Sequence, residues 1–216
     1  MIFGHRPLLV LALLSAVSAS AQILVNGSFE AQTTGDFTVT SGTPNTTSIT
    51  GWTVNSTTGS SQLNISSGSG LATNGVNFVQ LNSNNSAPGV LTLSQSFATT
   101  PGFTYSASLD VGRVNSGGTV GAQVSVFDVA SGSLLNTGSA TTTSNGTLFF
   151  GSINFQFIAT GANSNFVIAD LSNVTNAVDT LIDNAVVSVV AVPEPSTWAA
   201  LSLGLVAAIG FHRRRG

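Results

Sequence analysis

Thr104-Tyr105-Ser106-Ala107-Ser108-Leu109-Asp110-Val111, and then Val120-Gly121-Ala122-Gln123-Val124-Ser125-Val126-Phe127-Asp128-Val129, decide how this chain is read. In the first stretch Tyr105, Ala107, Leu109 and Val111 alternate with Ser106, Ser108 and Asp110. In the second, Val120, Ala122, Val124 and Val126 alternate with glycine and polar residues. Side chains on a pleated strand point to opposite faces in turn, so a period of two gathers one apolar face. β-Branched and aromatic residues suit that half-buried surface. Between the two runs Ser116-Gly117-Gly118 is a turn signal.

The same pattern extends both ways. Ile23-Leu24-Val25, 49–54 around Trp52, 77–81, 90–97, 148–158, 165–171 and 181–190 all read as strands. Within 90–97, Leu91, Leu93, Gln95 and Phe97 share a face. Ala87-Pro88-Gly89, Pro101-Gly102 and Ser144-Asn145-Gly146 break the runs. No long stretch carries helical periodicity. Nine or ten strands without crossover helices predict an all-β domain, an antiparallel β-sandwich of the jelly-roll kind. The polar, Gly/Thr-rich stretches 32–47 and 55–75, apart from Leu63-Asn64-Ile65, read as long loops, as does Thr141-Thr142-Thr143.

Charge narrows the function. The chain has five arginines and no lysine, and Arg113 is the only one between residues 22 and 191. Seven acids share that region (Glu30, Asp36, Asp110, Asp128, Asp170, Asp179 and Asp183), for a net charge of −6. Nucleic acid is excluded as a partner, because no basic footprint exists to neutralise phosphates. Both histidines, His5 and His212, lie in the terminal segments, and there is no cysteine. A Ser/His/Asp triad, a Cys/His pair and a zinc site of the usual ligands are therefore unavailable. Carboxylate chemistry survives, but no motif sets two acids around a cleft, so the expected domain is not an enzyme.

The two ends read as targeting segments. Residues 1–21 combine Arg6, an apolar run from Pro7 to Val17, and Ala19-Ser20-Ala21, whose Ala19 and Ala21 form the small-residue site of a signal peptidase. The competing reading is a short buried helix. The domain proper is then 22–191. Residues 192–216 carry Pro193-Glu194-Pro195, a short apolar helix over 197–211, and Arg213-Arg214-Arg215. About 15 residues make a helix of roughly 22 Å, a short membrane span that the flanking Trp198 and the arginines lengthen at the interfaces. Proline cannot continue a ladder, so the two prolines end the β domain.

This tripartite tail resembles the PEP-CTERM sorting signal. The resemblance implies export to the cell surface or extracellular matrix of a bacterium that makes exopolysaccharide. It also implies a membrane partner, an exosortase-type protease that cuts near Pro193-Glu194-Pro195, with the inner membrane holding the chain before processing. The alternative is an ordinary tail anchor that stays in the membrane.

A second resemblance covers most of 24–190. Leu24-Val25-Asn26-Gly27-Ser28-Phe29-Glu30, Thr50-Gly51-Trp52-Thr53-Val54, Gly75-Val76-Asn77-Phe78-Val79-Gln80-Leu81, Leu93-Ser94-Gln95-Ser96-Phe97, Thr100-Pro101-Gly102-Phe103-Thr104-Tyr105 and Leu181-Ile182-Asp183-Asn184-Ala185-Val186 follow in order. The set is similar to the galactose-binding-like jelly rolls of secreted proteins, the choice-of-anchor families and a related plant cell-wall family among them. In such domains a Glu after the Asn-Gly-x-Phe opening and an Asp in the last strand often share a structural calcium ion. Glu30 and Asp183 stand at those positions, so the resemblance implies Ca2+ there. The competing reading has Asp183 and Asn184 in local backbone hydrogen bonds and Glu30 as a solvated end. Sugar binding needs an aromatic platform beside hydrogen-bonding groups. Trp52 and Tyr105 are the candidates, with core packing as the rival reading of each. The expected function is a non-catalytic surface or matrix protein that binds exopolysaccharide. A self-assembling structural protein and a carboxylate-dependent glycan-active enzyme are the alternatives.

Overall fold

The computed structural model describes residues 22–57, 60–68, 71–82, 91–114, 118–143, 148–172 and 179–190. The signal-peptide and tail segments, with their cleavage residues and helices, lie outside the described residues.

Eleven strands are described: β1 (Gly35–Thr40), β2 (Thr53–Ser56), β3 (Ser60–Ser67), β4 (Asn77–Asn82), β5 (Leu91–Ala98), β6 (Thr104–Val114), β7 (Val120–Asp128), β8 (Leu134–Thr142), β9 (Phe149–Ile158), β10 (Asn163–Asp170) and β11 (Asp179–Val189). They form two antiparallel sheets. One has six strands in the order β1-β3-β4-β11-β6-β9, the other five in the order β2-β5-β10-β7-β8. From β5 onward the chain crosses repeatedly between the sheets, so each inner face collects residues distant in sequence. This is an all-β jelly-roll sandwich.

Alternation fills the space between the sheets. Leu91, Leu93 and Phe97 of β5 face Leu109 and Val111 of β6 across a core that includes Phe166, Ile168, Val124 and Val126. Trp52, 1% exposed, stands at its centre. Its ring lies 5.6 Å from Phe29 and meets Phe166 edge-on at 6.1 Å. The indole N–H donates to the Asn26 carbonyl at 3.2 Å, so the polar tip is satisfied while the ring is buried.

Three strands lie where loops were expected. β1 and β3 occupy the polar stretches 32–47 and 55–75, and β8 takes in Thr141 and Thr142. Edge position explains β1 and β8, since each has one paired side and needs few apolar residues. β8 turns Gly138 and Ala140 inward, too small to register as an apolar stripe. Ile23-Leu24-Val25, expected as a strand, is instead a strap. Ile23 N donates to Val187 O at 2.9 Å, and the Gln95 side chain takes both Val25 backbone groups, accepting from N at 2.6 Å and donating to O at 2.9 Å. Residues 49–52 form a turn, and β2 begins at Thr53.

Replacing Trp52 with alanine removes the largest fully buried side chain and one of the two donors to Asn26 O, the other being Phe29 N. Trp52→Ala should lower the unfolding free energy by about 3–5 kcal/mol, read as a shift of the urea midpoint at constant m-value.

Candidate functional site

The first site is the one built by the opening motif. Asn26 and Phe29 both adopt left-handed backbone, with φ of 52° and 57°. That turn drives Phe29 into the core at 0% exposure and leaves Glu30 at the surface. Gly27 has no room for a side chain: a Cβ there would stand 2.0 Å from the Ala185 carbonyl oxygen. Glu30 Oε1 accepts from the backbone N–H groups of Val76 at 2.9 Å and Asn77 at 2.7 Å.

Asp183 reaches the same loop from β11. Its Oδ2 accepts from Thr73 N at 2.7 Å, Thr73 Oγ1 at 3.0 Å and Asn74 N at 2.9 Å, and its Oδ1 accepts from Asn184 N at 2.6 Å. Asn184 has φ of 52° at a bulge where the pairing register shifts between Asp183 and Val186. It donates to Asp110 Oδ2 at 3.1 Å and accepts from Asn74 Nδ2 at 3.0 Å. Burial pushes the Asp183 carboxyl above its ordinary range, against the pull of the donors.

Glu30 and Asp183, the expected calcium ligands, thus both bind the 71–77 loop. Their arrangement does not fit a shared calcium ion. Ca2+ takes six to eight oxygen ligands. Each oxygen of Asp183 already faces N–H or O–H donors, whose positive ends stand where a cation would bind. No group of three or more His, Cys, Asp or Glu side chains gathers among the described residues. What the described residues show is two acids whose hydrogen bonds hold the 71–77 loop.

The aromatic platforms also need correction. Trp52 is the core ring described above. Tyr105 is 3% exposed, stacks on Phe157 at 5.4 Å, and its hydroxyl oxygen accepts from Thr100 N at 2.8 Å. Neither offers a face to a ligand. Tyr105 sits in the alternating run of β6 and is buried with its neighbours, whereas Trp52 enters the core from the turn that precedes β2.

The second site is the outer face of the five-stranded sheet. Register aligns three rows across it: Ser96, Asn165 and Phe127; Thr53, Ser94, Val167, Ser125 and Thr137; and Asn55, Thr92, Ala169, Gln123 and Ser139. The rows contain no charged residue. Phe127 is half-buried, its ring on the polar side of β7. Ser96 donates to Asn165 Oδ1 at 3.4 Å and Ser125 shares a 3.0 Å hydrogen bond with Thr137. Among the described residues, Asn55 and Gln123 have no assigned side-chain partner, so their amides are available to a ligand. Sequence reading passed over this face. The signal was there in the residues between the apolar positions, which are uncharged hydrogen-bonders almost throughout.

The model of the PEP-CTERM protein-sorting motif matches residues 191–215. The chain carries a PEP-CTERM sorting motif. No curated protein matches its sequence. Among solved structures it is similar to one described as "CBM4 structure and function", with 11% identity, 77% of this chain and 99% of that one covered, and a TM-score of 0.48. It is also similar to TmCBM61 in complex with β-1,4-galactotriose, with 13% identity, coverage of 79% and 100%, and a TM-score of 0.45. A third is the CBM22-2 xylan-binding domain of Paenibacillus barcinonensis Xyn10C, with 12% identity, coverage of 65% and 92%, and a TM-score of 0.45. These likenesses concern the fold.

Two outcomes follow. Asp183→Asn must set an NH2 group against at least one of the four donors, so it should cost roughly 2–3 kcal/mol. Thermal melts with and without chelator should show the same loss; a chelator-dependent melt of the native chain would restore the calcium reading. Asp179 tests the pH dependence. Burial raises its pKa above 3.8, the Asp170 charge adds to this, and a hydrogen bond from Gln80 opposes it. Its stabilisation is full below the unfolded value and is lost as pH rises through the raised folded value. Asp179→Asn keeps an acceptor for Gln80 and should remove that part of the pH slope in urea titrations above pH 4.

Proposed function

We propose that the chain is an exported, non-catalytic surface or matrix protein, sorted through an exosortase-type system, that binds extracellular polysaccharide on the outer face of its five-stranded sheet. The sorting motif supports the first part. The carrying observation for the second is the uncharged hydrogen-bonding surface with Phe127 set into it. A sugar ring offers hydroxyls at its rim and C–H groups on its faces. Asn55, Gln123 and Asn165 suit the former and the Phe127 ring the latter.

The same chemistry favours a neutral polymer. No carboxylate stands among the rows, so neither cations nor salt are required for the contact. The acids also support a binding role over a hydrolytic one. A glycosidase needs two carboxyls about 5–10 Å apart across a cleft. Here Asp128 is held by Ser131 and Thr160, Asp170 by Ser172 and Thr180, Asp183 by the 71–77 loop, and Asp110 by Ser152 and Asn184.

The test is a pull-down of residues 22–191 on the host exopolysaccharide and a panel including xylan and β-1,4-galactan, with calcium and with chelator. Saturable binding should appear in both conditions. Phe127→Ala and Gln123→Ala should each weaken it about tenfold or more while the melting profile holds. No binding by folded protein, with concentration-dependent assembly in its place, would favour a self-assembling structural protein.

A further inference from the structure

The two ends of the sandwich differ chemically. One end holds the turns 99–103, 129–133 and 159–162 together with the close of β11. Register places them side by side: Tyr105 pairs with both Val189 and Phe157, Ala98 with Asn163, and Ser164 with Asp128. Backbone bonds lace them, Gly102 N to Ala159 O at 2.8 Å, Val129 N to Asn163 O at 3.1 Å and Val190 N to Thr104 O at 2.9 Å.

Five of the eight large apolar side chains exposed among the described residues are here: Phe103 (49%), Val129 (50%), Leu134 (52%), Ile158 (59%) and Val189 (36%). Leu134 and Ile158 flank an open groove of about 630 Å³ floored by Phe157. The described residues at this end include no lysine, arginine or glutamate. Its one acid, Asp128, is 3% exposed and turned onto Ser131 N, Ser131 Oγ and Thr160 Oγ1. The other six described acids lie elsewhere: Glu30 is bound to Val76 N and Asn77 N before β4, and Asp36 stands on β1 level with Asn64 and Gln80. Asp170 and Asp179 stand where β10 ends and β11 begins, and Asp110 and Asp183 pair at mid-sheet.

The chain also leaves from this end. Val190 closes it, and seven residues of sequence (191–197) separate it from the apolar run that begins at Trp198. Seven extended residues reach at most about 25 Å. We propose that this end docks on the lipid surface while the tail is membrane-inserted, with Phe103, Leu134, Ile158 and Val189 entering the interfacial layer. The inference rests on the anchoring reading of the tail. Charge fits the orientation: an anionic leaflet repels a domain of net −6, and this pose presents the end without exposed carboxylates. The short tether keeps the apolar tips at high effective concentration near the bilayer, so weak individual insertion suffices.

The chain has no cysteine, so single labels are clean. Ser133→Cys (exposed, beside Leu134), Thr141→Cys (exposed, at the far end of β8) and Ala200→Cys (in the tail) each take an environment-sensitive fluorophore. The full chain is then reconstituted in phosphatidylcholine vesicles with and without brominated lipid. Quenching is expected at Ala200→Cys and Ser133→Cys, the latter at least threefold above Thr141→Cys. Adding Phe103→Ser and Ile158→Ser to the Ser133→Cys chain should bring its quenching down to the Thr141→Cys level while tail quenching persists. Equal quenching at Ser133→Cys and Thr141→Cys with the tail inserted would overturn the docking alone. So would a concentration-dependent shift at Ser133→Cys without vesicles, which would mean a second copy covers this end. An unquenched Ala200→Cys probe would overturn the anchoring reading and the docking with it.

Discussion

The hydrogen bond from the Trp52 indole to the Asn26 carbonyl joins the opening turn to the middle of the core. A left-handed Phe29 is unfavourable by about 1–2 kcal/mol on its own. It persists because its ring is fully buried against Trp52, and because the Asn26 side chain holds the turn, accepting from Ala31 N and donating to Thr50 O. From there the dependence runs outward. The turn fixes Glu30, Glu30 takes the N–H groups of Val76 and Asn77, and the loop so folded supplies the donors that satisfy Asp183 at its bulge. Gly75 lets the loop pass, with φ of 80° and Glu30 Oε1 only 2.4 Å from where a Cβ would stand. One aromatic contact therefore underwrites a polar unit assembled from three distant parts of the sequence.

A domain so poor in charge must solve solubility and satisfaction with neutral groups. Serine, threonine, asparagine and glutamine do both here, because each can turn inward to a backbone group or outward to water. Gln95 shows the inward use, replacing a ladder by gripping both backbone groups of Val25. The outer face of the five-stranded sheet shows the outward use. Such a surface interacts weakly with ions and changes little with ionic strength. Its affinity for a polymer would come from many shallow contacts and repeated sites along the ligand, not from a deep pocket.

The strands legible in the sequence were those buried on one face, such as β5, β6 and β7, where apolar residues alternate with small polar ones. β8 was illegible because glycine and alanine on its inward face leave no contrast to read, and in β1 and β3 the two apolar residues of each strand were too few to outweigh the polar composition around them. The strap at Ile23–Val25 has strand composition but gains its partners from a side chain and from β11, which local pattern cannot foretell. At the site, resemblance pointed to Glu30 and Asp183, and their hydrogen-bond partners came only with the structure. Which hydrogens meet a carboxylate depends on a loop folded from over 100 residues away, as between Thr73 and Asp183. Trp52 and Tyr105 were attractive for their chemistry, and for Tyr105 the alternation of β6 was the better guide. Phe127 falls on the polar side of the alternation in β7, and the odd position of a large ring there was the available clue.

Docking and polymer binding, as proposed, make different demands on the same sandwich, and the strand direction keeps them apart. Strands run from the apolar end to the acidic one, so the outer face of the five-stranded sheet stands along the side of a domain seated on that end. The row of Ser96, Asn165 and Phe127 lies nearest the apolar end, close to the pairing of Ala98 with Asn163. The row of Asn55, Gln123 and Ser139 lies furthest from it. A polymer crossing the strands can therefore engage the outer rows while the domain is still held at a membrane, and gains the Phe127 row when the end is released. Cutting the tail would remove the tether that makes shallow insertion favourable.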